Sequence, residues 1–213
     1  MAQGAPDGDA KNVALLEAAD RGNEAEVAAL LDNGAAVNAV GRRSMSALIA
    51  ASAEGHTDVA RLLLKRGAEL EAKNQTGLTA LAAAAMQGRA DTTRLLLESG
   101  ADIETKGTSG ATPLYVACAF GRHLTARLLL DSGADLEAKT TSGLTPLLIA
   151  VFNAQAEAVK LLLEHGADAE ATSNAGRGVW SRCDDADCKQ LLERAESIQR
   201  WHRRRGLALW GSV

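Results

Sequence analysis

Residues 108–139 read TSGATPLYVACAFGRHLTARLLLDSGADLEAK, and near copies of this stretch precede and follow it. Its last third, LLLDSGADLEA, returns as LLLKRGAELEA and LLLESGADIET in the two units before it. A constant period of about this size predicts a stacked repeat array, in which one elongated domain forms because each unit contacts only its neighbours. The shared glycine recurs every 33 residues, at Gly34, Gly67, Gly100, Gly133 and Gly166.

Each unit carries start and stop signals for a first helix. A threonine or serine stands where a helix N-cap is preferred, and in two units a proline follows at the first helical position, where its missing N–H does no harm. A glycine then ends the helix, because the left-handed C-terminal conformation strains other residues. The caps are Ser46, Thr79, Thr112 and Thr145, the prolines Pro113 and Pro146, and the terminating glycines Gly55, Gly88 and Gly121.

A leucine triplet in each unit predicts a second helix in an outer layer. On its exposed side a cation recurs once per unit, and in three units an acidic residue lies three positions earlier, a spacing that brings side chains together on a helix. The third full unit breaks this pattern with Leu124. The predicted pairs are Asp58 with Arg61, Asp91 with Arg94, and Glu157 with Lys160.

From about residue 11 to residue 196 the chain resembles the ankyrin repeat family, on its turn glycine, Thr-Pro-Leu, alanine pair, mid-unit glycine, leucine triplet and Gly-Ala-Asp. In the best copy, Tyr115 stands where the family usually has histidine. The resemblance implies a mainly α fold, an ankyrin-repeat α-solenoid of stacked helix-turn-helix units joined by β-hairpin-like loops. Ala154 and Ser44 replace glycines of the pattern, so we expect strain at these two positions.

We expect three segments along the chain. Residues 1–10 are predicted to be a disordered N-terminal segment, residues 11–196 a single ankyrin repeat domain, and residues 197–213 a basic aromatic tail. Within the domain, residues 11–40 are predicted to be an N-terminal capping repeat. The full repeats are predicted at 41–73, 74–106, 107–139 and 140–172, and a degenerate closing repeat, about three residues short, at 173–196.

The last residues allow two interpretations. Their apolar side chains follow helical spacing, which favours a cap that covers the exposed end of the fourth full unit. The alternative is a functional basic aromatic tail, built from Trp201, Trp210 and the arginines at 203–205, that contacts an anionic membrane, an acidic partner or a nuclear import receptor. The apolar positions of the cap are Leu191, Leu192, Ala195, Ile198 and Trp201.

Composition and charge exclude several classes of function. A formal net charge of −4 argues against a nucleic-acid partner, since phosphate binding demands a surplus of Lys and Arg. The longest apolar run, ALAAAAM at residues 80–86, falls far below the roughly 20 residues that cross a bilayer. The start of the chain lacks a secretory pattern, and three cysteines fit a reducing compartment. We therefore expect a cytoplasmic protein, with the nucleus as the alternative.

Catalytic and metal-binding patterns are weak. The sequence lacks the serine-hydrolase, zinc-protease, phosphate-loop and dinucleotide motifs, which predicts a protein that is not an enzyme and holds no cofactor. Cys118 falls at a core position of its unit. Cys183 and Cys188 with His202 have loose zinc-like spacing, against the simpler interpretation of small residues in the closing repeat. Asn38 is either a hydroxylation site, as in some ankyrin repeats, or an asparagine that bonds its own hairpin.

The resemblance implies protein binding through the hairpin tips and the inner face of the first helices. Met86, Phe120 and Phe152 are predicted to line a groove across three units, unless the phenylalanines pack between repeats. A lysine column predicts acidic groups on the partner, although acids in the same loops offer internal neutralisation. The predicted contact residues are Arg42, Arg43, Met45, Lys73, Leu78, Met86, Gln87, Lys106, Ala111, Tyr115, Phe120, Lys139, Leu144, Phe152 and Asn153.

Two functional classes follow from this surface. The first is a monomeric adaptor or scaffold that holds another protein reversibly on its concave face. The second is a structural subunit or assembly chaperone permanently embedded in a larger complex. An adaptor is expected to be monomeric and cooperative in unfolding, whereas a permanent subunit is expected to be unstable alone.

Overall fold

The protein is a stack of helix pairs, seen in a computed structural model that describes residues 6–195. Within that range the loops form isolated backbone bridges and no β-strand. The helical solenoid expected from the resemblance is confirmed. The helices are α1 (Pro6–Arg21), α2 (Glu24–Asp32), α3 (Ala47–Glu54), α4 (Thr57–Lys65), α5 (Ala80–Gln87), α6 (Ala90–Glu98), α7 (Pro113–Ala119), α8 (His123–Asp131), α9 (Pro146–Phe152), α10 (Ala156–Glu164) and α11 (residues 186–195).

The helices form two layers. The inner helices α1, α3, α5, α7 and α9 pack side by side in chain order, and α2, α4, α6, α8 and α10 form a second row behind them. Each inner helix buries one leucine and, three residues later, one alanine, as Leu81 and Ala84 do in α5. Alanine is small enough to let neighbouring helices approach closely. The core is therefore a continuous strip of Leu, Ala and Val along the stack rather than a single central cluster.

The predicted helix signals are confirmed. The hydroxyl of each predicted N-cap accepts a hydrogen bond from the backbone N–H three residues later, for example Thr145 Oγ1 from Leu148 N at 3.2 Å. Gly55 and Gly88 follow their helices in the left-handed region, with φ of 82° and 76°. These caps and glycines determine where each inner helix begins and ends.

Strain is also found where the sequence lacks glycine. Among residues 6–195, the non-glycine residues with positive φ are Arg43, Ser44 and Ala154, at 59°, 56° and 54°. Ser44 and Ala154 are the two replacements identified in the sequence. A side chain in this region costs about 1–2 kcal/mol relative to the right-handed region, so neighbouring structure must hold these residues in place.

The two ends of the stack depart from the full units. α1 begins at Pro6, so residues 6–10, assigned to disorder from the sequence, are helical. Proline at the first helical position favours this start. At the other end, the 3-10 turn Val179–Arg182 takes the place of an inner helix and contacts α9. Asp185 Oδ1 accepts from Cys188 N at 2.8 Å and so caps α11. The predicted tail at 197–213 lies outside the described residues.

Candidate protein-binding surface

The hairpin tips are joined into one edge by a ladder of backbone hydrogen bonds. Gln75 N donates to Arg43 O at 2.8 Å, and Thr141 N donates to Ser109 O at 3.0 Å. The same bond links the other successive tips, from Thr108 N to Thr76 O and from Asn174 N to Ser142 O. We call this side of the stack, formed by the tips at residues 42–45, 75–78, 108–111 and 141–144, the hairpin edge. Its backbone is held in register from one unit to the next.

A column of acidic side chains adds a second ladder beneath the tips. Glu104 Oε1 accepts from Asp135 N at 2.7 Å, and Glu71 and Glu137 make the same bond to the backbone N–H found 31 residues after each of them. At the head of the column, Asn38 Oδ1 accepts from Glu69 N at 2.8 Å and its Nδ2 donates to Gly67 O. Asn38 thus bonds the following unit, and the expectation that it bonds its own hairpin is wrong.

One carboxyl of this column has a shifted pKa. Burial raises the pKa of Glu137, and the carboxylates of Asp168 and Asp135 add to the rise. The N–H of Asp168 and the ammonium of Lys139 act in the opposite direction but do not cancel it. The Glu137 carboxyl is therefore harder to ionise than a carboxyl in water.

The predicted cations of the hairpin edge are exposed. Arg42 and Arg43 lie on a short 3-10 turn, and Lys106 and Lys139 are exposed on the later loops. Lys73 is exposed too, but its Nζ donates to Lys106 O at 3.1 Å and so also links two units. In the described part of the chain none of these cations is within 4 Å of a carboxylate oxygen.

The predicted apolar contacts at the tips differ in exposure. Met45, Leu78 and Leu144 are half-buried, and Leu144 and Met45 pack against the core. Ala111 is buried, because it follows the tip glycine and turns back toward the stack. Ala111 therefore offers little surface to a partner, unlike its prediction as a contact residue.

On the inner helices, the predicted groove is dominated by one residue. Phe120 is 52% exposed, whereas Phe152 and Met86 are partly buried and Phe152 packs against the core. Tyr115 is half-buried, and that burial raises the pKa of its hydroxyl. Phe152 therefore fits mainly the alternative in which a phenylalanine packs inward, whereas Phe120 fits the alternative in which it is exposed to a partner.

The opposite side of the stack, where inner helices turn into outer helices, carries its own ladder. Arg89 Nε donates to Ala53 O at 3.0 Å, and Arg122 Nε donates to Met86 O at 3.1 Å. Each arginine thereby caps the last carbonyls of the preceding inner helix. We call this side, formed by residues 54–58, 87–91, 120–124 and 153–157, the helix-turn edge.

This second ladder adds a second reason for the mid-unit glycines Gly55 and Gly88. The backbone there is left-handed, and the arginine of the next unit leaves no room for a side chain. A Cβ atom on Gly55 would lie 2.8 Å from Arg89 Cδ, and one on Gly88 would lie 3.0 Å from Arg122 Cδ. In the fourth full unit, Gln155 replaces the arginine and donates to Asn153 O. There Asn153 Nδ2 bonds Ala119 O at 2.8 Å, so this predicted contact residue has a structural task. Gln87, also predicted, is exposed.

Sequence reasoning placed Leu124 on the exposed side of its helix but missed it as a candidate contact residue. Leu124 is 67% exposed in the first turn of α8. The signal was present, because Leu124 stands where the other full units have Asp58, Asp91 and Glu157. The acid and cation pairs predicted on the outer helices lie beyond 4 Å throughout residues 6–195. The ion pairs that form there instead include Arg66 with Asp32 at 2.7 Å, which bridges two units.

The thiols lie away from this surface. Cys118, Cys183 and Cys188 are free and buried, and burial raises the pKa of Cys118 and of Cys188 to about 12. Thiols of this kind remain protonated near neutral pH. The described residues hold no group of three His, Cys, Asp or Glu side chains arranged for a metal ion, and His202 lies outside them. Among the described helices, none has the length and apolarity that a bilayer span requires.

Comparison with protein families gives a match. The family model described as ankyrin repeats in three copies matches residues 15–107, 69–140 and 103–173, in overlapping placements. Together these placements span residues 15–173, from within α1 to beyond the end of α10. No curated protein matches the chain.

Proposed function

Because the chain belongs to the ankyrin repeat family, whose members are generally protein–protein interaction modules, we propose that it is a non-catalytic adaptor or scaffold. It binds a partner protein reversibly through its concave face, formed by the hairpin edge and the inner helices. The observation that carries this proposal is Phe120, a large aromatic side chain left 52% exposed at the end of an inner helix. An aromatic anchor of this kind typically supplies much of the energy of an interface.

Rigidity supports the same function. The ladders on both edges join each unit to the next, so the surface exists before a partner arrives and little ordering entropy is lost on binding. Arg42, Arg43, Lys106 and Lys139 add exposed positive charge along the hairpin edge. Rim charges of this kind speed association with an acidic surface more than they add affinity. An acidic flank on the partner is therefore the secondary part of the proposal.

Two further features belong to this proposal. The chain is monomeric by itself and works in the cytoplasm, with the nucleus as the alternative compartment. The absence of catalysis belongs to the same proposal, because ankyrin repeat proteins are typically non-catalytic interaction modules. If the chain were instead a permanent subunit, it would aggregate when purified alone, which analytical ultracentrifugation detects.

The test is capture of a partner from native cell extract by the intact chain and three variants. Phe120→Arg removes the proposed anchor, Lys106→Glu reverses one hairpin-edge charge, and Arg94→Glu alters an exposed outer helix as the matched control. Circular dichroism and melting establish first that all three fold. We expect Phe120→Arg to abolish capture, Lys106→Glu to weaken it, and Arg94→Glu to leave it unchanged. Equal capture by all three would move the interface away from the concave face.

A further inference from the structure

Two neighbouring grooves on the helix-turn edge occupy equivalent places one unit apart. The first lies between the turns of the first and second full units, and the second lies between those of the second and third. Because the two grooves are equivalent, the residues that differ between them indicate how their binding chemistry differs. The first groove is lined by Glu54, Gly55, Thr57, Arg89, Asp91 and Thr92, and the second by Gln87, Gly88, Gly121, Arg122, His123 and Leu124.

The first groove neutralises its own charge. Arg89 Nε donates to Ala53 O, which holds the guanidinium across the groove, and Arg89 Nη2 lies 3.7 Å from Glu54 Oε2. Asp91 adds a second carboxylate to the lining. The first groove thus shows that a carboxylate fits the space next to an arginine held in this position.

The second groove keeps the arginine and loses both acids. Arg122 is anchored in the same way, through the bond from its Nε to Met86 O at 3.1 Å. Gln87 stands in place of Glu54, and Leu124 in place of Asp91. Within residues 6–195 no carboxylate oxygen lies within 4 Å of Arg122. The outer nitrogens of this guanidinium therefore lack the charge that its counterpart has.

The apolar character of the second groove is equally specific to it. Leu124 is 67% exposed at its wall, and Phe120, 52% exposed, directly precedes the lining residue Gly121. The residues equivalent to Phe120 in the other full units are Glu54, Gln87 and Asn153, all polar. Two exposed apolar residues thus lie within the same turn as an arginine that has no carboxylate partner among residues 6–195, whereas the other turns are polar.

We propose that this second groove binds a segment of the partner protein that presents a carboxylate beside a large apolar side chain. The carboxylate pairs with Arg122, as Glu54 does with Arg89, and the apolar side chain covers Leu124 and Phe120. Charge complementarity selects the carboxylate, and an arginine fork suits two-point contact with it. The inference rests on the proposed adaptor function and adds the chemistry of the recognised segment.

The test uses a phage-displayed library of random twelve-residue peptides selected against the full chain, followed by affinity measurements on the selected peptides. Gln87→Glu gives the second groove the carboxylate that the first already has, and this carboxylate competes for Arg122 without removing any contact of the fold. We expect selected peptides to carry Asp or Glu within a few residues of Leu, Phe, Ile, Met or Trp. We expect Gln87→Glu to weaken their binding roughly tenfold or more.

Matched variants separate the two halves of the site. Leu124→Asp should weaken the same peptides, because it replaces the apolar wall with the acid found in the first groove. Glu54→Gln frees Arg89 beside Asp91 and creates no apolar wall, so it should leave peptide affinity unchanged. Arg122→Lys keeps the charge and loses the fork, and we expect an intermediate loss. All variants are compared at equal salt.

Two results would overturn this inference. One is a selection that yields no peptide with a carboxylate, and the other is unchanged affinity in Gln87→Glu. Failure here is distinguishable from failure of the adaptor function. A partner captured equally by the intact chain and by Gln87→Glu, but lost with Phe120→Arg, would leave the adaptor in place and remove the groove. An intact chain that captures no partner would contradict the adaptor function itself.

Discussion

The two edges of the stack use repetition differently. On the hairpin edge, the same bonds recur from unit to unit, in the tip ladder and in the column of Glu71, Glu104 and Glu137. On the helix-turn edge, the arginine ladder changes from unit to unit. Arg89 has a carboxylate partner, Arg122 has none within residues 6–195, and Gln155 replaces the arginine altogether.

This difference indicates which positions of the repeat stabilise the fold and which contact a partner. Where a residue type recurs every 33 residues and also bonds the next unit, as Glu71, Glu104 and Glu137 do, its interaction is already made inside the molecule. A residue that departs from its column, such as Phe120 or Leu124, has no structural counterpart in the other units. Departures from the repeat are therefore the better guide to the binding surface.

The largest expected effect concerns two left-handed glycines, one crowded and one free. A Cβ atom on Gly77 would lie 2.6 Å from Thr108 N of the next tip, whereas one on Gly67 would meet no atom within 4 Å. Gly77→Ala should cost about 2–5 kcal/mol of unfolding free energy, from backbone strain plus overpacking, and Gly67→Ala about 1–2. Urea unfolding measures both. Equal losses would mean that the tip ladder does not couple the units.

The next effect tests the acidic column on the same edge. Glu104→Ala removes the acceptor for Asp135 N, and we expect a loss of about 1–3 kcal/mol. Glu104→Gln keeps an acceptor oxygen and should recover most of that loss. The exposed neighbour Lys106→Ala should change stability by less than about 0.5 kcal/mol. A Lys106→Ala loss as large as that of Glu104→Ala would contradict the separation of structural columns from free surface.

A gain of stability is expected where glycine is missing from its column. Ala154 on the helix-turn edge and Ser44 on the hairpin edge have φ of 54° and 56°. Ala154→Gly and Ser44→Gly should each raise the free energy of unfolding by about 0.5–1 kcal/mol, because relief of strain exceeds the added chain entropy. Chemical denaturation checks this. A loss at either position would show that its strain is offset by contacts of the side chain.

The smallest effect is a dependence on pH. Since the folded pKa of Glu137 is raised, its contribution to stability is complete below its unfolded pKa and falls as the pH rises through the folded value. Glu137→Gln keeps the acceptor for Asp168 N and removes the charge. The variant should therefore match the parent near pH 4 and exceed it in stability near pH 7. An advantage of the same size at both pH values would contradict the shift.

Much of the architecture was predictable from the sequence, because helix boundaries here depend on local chemistry. The caps Thr79 and Thr145 and the terminator Gly88 lie where their residue types predict, and no long-range information was needed. The helical start at Pro6 and the 3-10 turn in the closing unit were not predicted. Both lie at a stack end, where the repeat pattern is weakest.

The candidate site was less predictable, since exposure depends on contacts between units. Ala111 and Phe152 look like surface residues in the repeat pattern, yet both pack inward. Asn153 looks free, yet it replaces an arginine in capping the preceding helix. That Arg122 lacks a carboxylate partner in the described part of the chain becomes evident only when its surroundings are compared with those of Arg89. A single sequence shows which residues occupy equivalent positions in the repeats, but it does not show which side chains pair with one another.

The central claim is that the repeating residues that bond the next unit hold the fold, whereas the exposed apolar departures Phe120 and Leu124 bind the partner. The most direct test is the double variant Phe120→Gln, Leu124→Asp, which gives the third unit the residues that the second unit carries at these two positions. Its unfolding free energy and its capture of a partner from native cell extract are measured together. We predict stability within about 0.5 kcal/mol of the parent and loss of capture, because both side chains are exposed. Unchanged capture, or a loss of stability as large as that of Glu104→Ala, would contradict the account.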